Sequence, residues 1–168
     1  MQLREINKTR YRKHLRVIFV GMAAALMIIT VAASTLFIYL FSSSEESHFW
    51  HNFAGVAAAA AIVFFVLHRF RLHPYMFEVV YVWDLKQQLN RIHRKLRNIE
   101  AAVENNDGDA MMIMNFMYRG SRQLYELDDN TITMGGLISK ISVLDQRMED
   151  AGLSLSTDSY NPAMLSRF

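Results

Sequence analysis

The sequence predicts an all-α chain: a membrane-embedded helical hairpin followed by a cytoplasmic helical bundle with one long heptad-patterned helix. Three observations carry this expectation. Residues 17–41 are 25 consecutive positions without a charge. A second, weaker apolar stretch at 49–67 ends sharply at His68-Arg69. Beyond it, Val82, Leu85, Leu89, Ile92, Leu96, Ile99 and Val103 recur at alternating spacings of three and four, which is a heptad seam.

Residues 1–16 read as a basic cytoplasmic arm. The first span follows at 17–41, and about 20 apolar residues are enough to cross a bilayer. Thirteen of its 25 residues are Leu, Ile, Phe or Val. At roughly −0.3 to −0.6 kcal/mol each, the gross insertion gain is about −4 to −8 kcal/mol. A cleaved secretory signal would have an apolar region of only ~7–15 residues ending in small residues. Here the apolar character continues past Ala32-Ala33-Ser34 to Phe41.

The second span, 49–67, carries His51 and Asn52 in its first turn and the alanine run 57–61. Ile62-Val63-Phe64-Phe65-Val66-Leu67 supplies most of its insertion energy. The connector 42–48 is too short to hold a domain, so the two helices are antiparallel neighbours within a hairpin unit of residues 17–73. Gly21 and Ala25 on one helix, and Ala54, Gly55, Ala58 and Ala59 on the other, stand at spacings that let backbones approach. Orientation follows from the basic residues. Arg10, Arg12, Lys13 and Arg16 precede the first span with Arg4 and Lys8, the connector has no Lys or Arg, and Arg69 and Arg71 follow the second span. The positive-inside rule then puts both termini in the cytoplasm, in a bacterium at the inner membrane.

Residues 74–152 are expected to form three helices. The first runs from about Pro74, tolerated at a first helical turn, to Glu104, where Asn105-Asn106-Asp107-Gly108 makes a turn. The second runs from about Asp109 to Leu127. The third starts near Thr131 or Thr133 and ends at Ala151-Gly152-Leu153, a Gly at C′ followed by an apolar residue. At ~1.5 Å per residue the first helix spans about 46 Å against 28 Å for each of the others. It therefore overhangs, and leaves the apolar residues 75–83 to be covered by the headgroup layer or another subunit, in preference to the tail 153–168. The expected association surface is Tyr81, Trp83, Leu85, Leu89 and Ile92.

Net charge is +2 and there are no cysteines. That excludes disulfide frameworks, thiolate metal sites and thiol catalysis, and the charge does not have the uniform excess of a nucleic-acid binder. Phosphate-loop, dinucleotide, hydrolase-elbow and zincin motifs are missing, and the spans hold no Asp, Glu, Lys or Arg to mark an ion pathway. Glu45, Glu46, His48 and His51 are the weak candidates for a divalent metal, against the blander role of keeping helix ends polar at the headgroups. No metal, cofactor or small-molecule substrate is expected.

The stretches 78–97 (Glu-Val-Val-Tyr-Val-Trp-Asp-Leu-Lys and onward) and 118–133 (Tyr-Arg-Gly-Ser-Arg-Gln-Leu-Tyr and onward), with Glu5-Ile6-Asn7-Lys8 and Arg10-Tyr11-Arg12-Lys13-His14, resemble an uncharacterised family of small gammaproteobacterial two-span inner-membrane proteins, a domain of unknown function. The resemblance implies that setting and layout and brings no catalytic residues. The function expected is a non-enzymatic membrane-anchored interaction or scaffold module that self-associates through the long helix. Its partners are the lipid bilayer and a homo-oligomer or larger membrane assembly. An accessory subunit of a membrane enzyme or transporter, and an envelope signal sensor using residues 45–51, are the alternatives.

Overall fold

The computed structural model describes residues 1–41 and 48–168, and every regular element among them is helical. The chain divides into two compact units, one of Thr9–Val80 and one of Met1–Lys8 with Tyr81–Phe168.

The first unit is built on α1 (Lys8–Phe41) and α2 (Phe49–Phe70). At ~1.5 Å per residue these are about 51 and 33 Å long, against a hydrocarbon core of about 30 Å. Both are long and apolar enough to cross a membrane, with mean hydropathy 2.4 and 1.9 over their best windows. A core helix of a soluble protein buries most of such a window, whereas here only 6% and 17% of the two windows is buried. Phe19, Met27, Ile28, Phe64 and Phe65 are each between 64% and 73% exposed. α1 starts well before the expected span, because residues 8–16 continue the same helix instead of forming a separate arm.

Where α1 and α2 touch, the small-residue logic holds on α2 and shifts on α1. Gly55, Ala59 and Val63, one turn apart, are the buried residues of α2. Ser34 is their counterpart on α1. A Cβ on Gly55 would stand 2.8 Å from the Ser34 nitrogen and 2.9 Å from its Cα, and the Ser34 hydroxyl donates to the Asn52 carbonyl at 3.5 Å. Gly21 makes no such approach: a Cβ there would meet nothing within 4 Å. Gly21 and Ala25 instead line an open apolar groove of about 420 Å³, opposite Ile62 and Val66.

A short 3-10 turn, Pro74–Met76, is capped by His73, whose Nδ1 accepts from the Tyr75 N–H at 3.2 Å. It leads into α3 (Phe77–His93), and α4 (Leu96–Glu104), α5 (Gly108–Asp128) and α6 (Met134–Asp150) follow. The single helix expected over 74–104 is therefore broken at Arg94–Lys95. No glycine or proline marks this break. It brings Lys95 and Asn98 to the carbonyls of Leu165 and Phe168, at 2.7 and 3.0 Å. The heptad seam survives it: Val82, Leu85, Leu89, Ile92 and Ile99 are all buried.

α5 is the centre of the second unit, packed by α4, α6 and both tail turns. Its interior face is Ala110, Met111, Ile113, Met114, Phe116, Leu124 and Leu127, all buried. The turns on either side use backbone chemistry legible in the residues. Asn106 (φ 59°) closes α4, with the Asp107 N–H reaching the Ala102 carbonyl and the Asn106 N–H reaching that of Val103, both at 3.0 Å. Asp107 then caps α5 by accepting from the Ala110 N–H at 2.9 Å. At the end of α6, Gly152 (φ 68°) makes the expected Schellman turn: the Leu153 N–H bonds to the Met148 carbonyl and the Gly152 N–H to that of Glu149.

The tail is structural. Tyr160 is buried, stacks on Phe116 with ring centroids 4.1 Å apart, and its hydroxyl accepts from the Gln88 amide. Leu165 is buried beside it, and Arg167 pairs with Asp107 and Asp109. The buried Asn115 donates to the Leu155 carbonyl at 3.0 Å and accepts from Arg119, which also pairs with Asp145 at 2.8 Å. Tail, α5 and α6 are thus tied by one polar chain.

Candidate functional site

The overhang expected at residues 75–83 is covered in part by the chain's own N-terminal region, a cover not foreseen, while Tyr75, Phe77 and Trp83 stay exposed. In the second unit, residues 1–8 lie against α3 and α5. The Arg4 N–H donates to the Tyr81 hydroxyl at 2.8 Å, that hydroxyl donates to Gln123 Oε1 at 2.9 Å, and the Gln123 amide donates back to the Arg4 carbonyl. The three groups close a ring. Beside it, Leu3 sits over Gly120, whose missing side chain lets Leu85 and Leu89 approach. Lys8 pairs with Asp129, the αL residue that ends α5. Burial pushes the Tyr81 phenol above its ordinary pKa, against the lowering pull of the Arg4 N–H and Gln123.

In the first unit, the start of α1 meets Tyr75 and Glu78. His14 stacks on Tyr75 with ring centroids 3.8 Å apart. Glu78 is only 1% exposed and pairs with Arg10 through Oε1, while Oε2 stands 3.4 Å from His14 Nδ1. Those two atoms are otherwise unbonded. Burial pushes the Glu78 carboxyl up, but its own backbone N–H, the Arg10 guanidinium and His14 outweigh that and hold it below the usual carboxylate value.

These contacts change the reading of the proposed association surface. Tyr81, Leu85, Leu89 and Ile92 are each 9% exposed or less and form the core of their own bundle, so they have no face to offer a partner. Only Trp83 of that set is exposed, at 62%. The period-3.5 pattern that suggested an intermolecular seam is satisfied within the chain, by α5 and the N-terminal residues. The basic residues Arg10, Arg12, Lys13, Arg16, Arg69 and Arg71 are all exposed, at the ends of α1 and α2 away from the Ser34–Gly55 contact.

Among the metal candidates, Glu45 and Glu46 lie outside the described residues. His48 and His51 have ring centroids 6.3 Å apart, edge to face. Among the described residues, no group of three or more His, Asp or Glu could hold a metal.

Besides a larger hollow of about 590 Å³ lined by Leu89, Leu96, Tyr125 and Lys140, the fold leaves open in the second unit a cleft of about 410 Å³ between α4 and α6, floored by Met114 and Tyr118 of α5. One rim carries Glu100 and Glu104 and the other Lys140 and Arg147, with Val103 and Val143 between them. Tyr118 has its pKa raised by burial and by the nearby Glu100 charge. Glu100, Glu104 and Lys140 make no ion pair among the described residues, and Arg147 reaches only the Val103 carbonyl, at 3.4 Å. Sequence reasoning missed this cleft because only the fold brings α4 and α6 side by side.

The family described as Protein of unknown function (DUF3087) matches residues 1–165. The chain belongs to that family. The DUF3087 match covers both units, from the residues that clasp α3 and α5 to the buried Leu165 of the tail, so the closed-up N- and C-terminal segments lie inside the family's domain. No curated protein and no solved structure matches the chain.

Proposed function

We propose that this DUF3087 chain is a non-enzymatic, membrane-anchored interaction module, held in a bacterial inner membrane by α1 and α2 with both termini in the cytoplasm. The observation that carries the anchoring is the exposure of the apolar side chains on α1 and α2, of whose most apolar stretches only 6% and 17% is buried. In water that surface is a severe liability, since monomeric soluble proteins rarely expose apolar patches beyond a few hundred Å². In lipid it is matched.

Two further observations support the layout. Residues 1–8 and 81–168 form one compact unit, which fits both ends lying on one side of the bilayer. Six Lys and Arg precede position 17 and two follow at 69 and 71, which fits that side being the cytoplasm. The second unit then serves as the part that meets other proteins, first of all a second copy of itself. Of the perturbed groups, Glu78 in the first unit and Tyr81 and Tyr160 in the second are each engaged in structural bonds, and Tyr118 lies on the floor of the α4–α6 cleft beside Glu100.

The anchoring is tested by alkaline carbonate extraction of membranes carrying the full chain. The proposal expects it to stay in the membrane pellet and to be released only by detergent. Release into the carbonate supernatant would overturn it.

A further inference from the structure

The self-association reading above leaves the surface unnamed, and the α4–α6 cleft supplies one. We infer that the cleft is the interface between two copies of this chain, related by a two-fold axis that runs along it.

Charge and helix direction together select the partner. Leu96 and Lys140 line one common cavity, while further along the same two helices Arg147 bonds to the Val103 carbonyl. α4 and α6 therefore run side by side in the same direction, with α5 antiparallel between and beneath them. One wall is acidic (Glu100, Glu104) and the other basic (Lys140, Arg147), and the wall charges have no ion partner among the described residues. The floor and inner walls are apolar, and Val143 stands 63% exposed on the α6 rim.

Two copies can meet face to face about an axis lying in the interface plane. If the axis crosses the cleft, α4 meets α4 and acid faces acid. If it runs along the cleft, α4 of each copy meets α6 of the other, so the acidic wall faces the basic wall twice, and the helix pairs are parallel. Only the second arrangement satisfies the unpaired charges and covers Val143 at once. An isologous contact of this kind is closed and stops at a dimer. A foreign helix would need the opposite charge order on its two flanks, whereas a second copy has that order built in.

The test uses the full chain in non-ionic detergent, with molecular mass followed by analytical ultracentrifugation over a dilution series. Three proteins are compared: wild type, E100K/E104K with two basic walls, and K140E/R147E with two acidic walls. The expected result is a wild-type dimer, both variants weakened on the order of 100-fold in dimer dissociation constant by like-charge juxtaposition, and a heterodimer recovered when the variants are mixed. Val143→Glu, an exposed position, gives a second weakened variant should one charge-reversed protein lose its helicity by circular dichroism. A wild type that is monomeric at every concentration would overturn both this inference and the self-association reading. A wild-type dimer that persists unchanged in E100K/E104K, K140E/R147E and V143E, or a mixture that fails to pair, would overturn the inference alone and move the contact to another face.

Discussion

Replacing Tyr81 with Phe removes one oxygen and two hydrogen bonds. The lost oxygen accepts from the Arg4 N–H at 2.8 Å and donates to Gln123 Oε1 at 2.9 Å. A neutral hydrogen bond contributes about 0.5–1.5 kcal/mol net, so two contribute about 1–3 kcal/mol. The site is only partly buried, and water can replace some of what is lost, so the lower half of that range applies, about 1–2 kcal/mol. The ring itself, 7% exposed, keeps its packing. The effect is therefore local: the hold on residues 1–8 loosens while the α3–α5 core stays. A change of 1–2 kcal/mol is a factor of about 5–30 in an opening equilibrium. Amide hydrogen exchange of the full chain in detergent reads it directly, because the Arg4 amide is the donor concerned. Its exchange should speed up about 5–30-fold in Tyr81→Phe, with amides in the middle of α5 unchanged. If Arg4 exchanges at the wild-type rate, the ring of Arg4, Tyr81 and Gln123 does not hold the N-terminal residues, and if α5 loses protection equally, the hydroxyl supports the whole core and the reasoning fails.

Gly55→Ala sets a methyl 2.8–2.9 Å from the Ser34 backbone, which has no flexible end to yield, so α1 and α2 must separate and the detergent-solubilised protein should aggregate at a lower temperature. Gly21→Ala, facing open space, should hold its midpoint or gain the helix-propensity benefit of about 0.5–1 kcal/mol; equal behaviour of the two variants would refute the Ser34–Gly55 crossing. Gly152→Ala forces a side chain into φ 68° and should cost about 1–2 kcal/mol in chemical denaturation, with α6 the first helix to lose exchange protection. Glu78, held below the ordinary carboxylate pKa, contributes stability that is complete above the unfolded value of 4.5 and is lost as pH falls through the lower folded value. The acid limb of a stability profile should therefore be shallower in Glu78→Gln, and an unchanged limb would remove Glu78 from the account.

Much of this architecture was legible in the residues, for reasons that differ by element. The turns were legible because their chemistry is local: Asn106 and Gly152 take φ near +60°, and Asp107 caps the helix that follows it. The seam Val82–Val103 was legible because its period matches a helix packed on one side. What the seam packs against was not legible. A heptad pattern reports that a face is covered and not by whom, and here α5 and residues 1–8 cover it where a second chain was expected. The N-terminal segment escaped notice because its attachment runs through the Arg4 backbone, which leaves no side-chain signature, and through Leu3, a single apolar residue. The tail was undervalued for a similar reason. Its Ser and Asp content suggested little to bury, but Tyr160 and Leu165 suffice once Phe116 and Gln88 are in place. The cleft between α4 and α6 depends on two helices that only the fold brings side by side, so no window of sequence contains it.

Because the chain has no native cysteine, single cysteines report its topology cleanly. Three variants, Gln2→Cys, Ser44→Cys and Ser166→Cys, are treated in intact spheroplasts with a maleimide that does not cross membranes. The account predicts labelling at position 44 alone, with positions 2 and 166 reacting only after permeabilisation. Labelling of 2 or 166 from outside, or protection of 44, would contradict a hairpin with both ends in the cytoplasm.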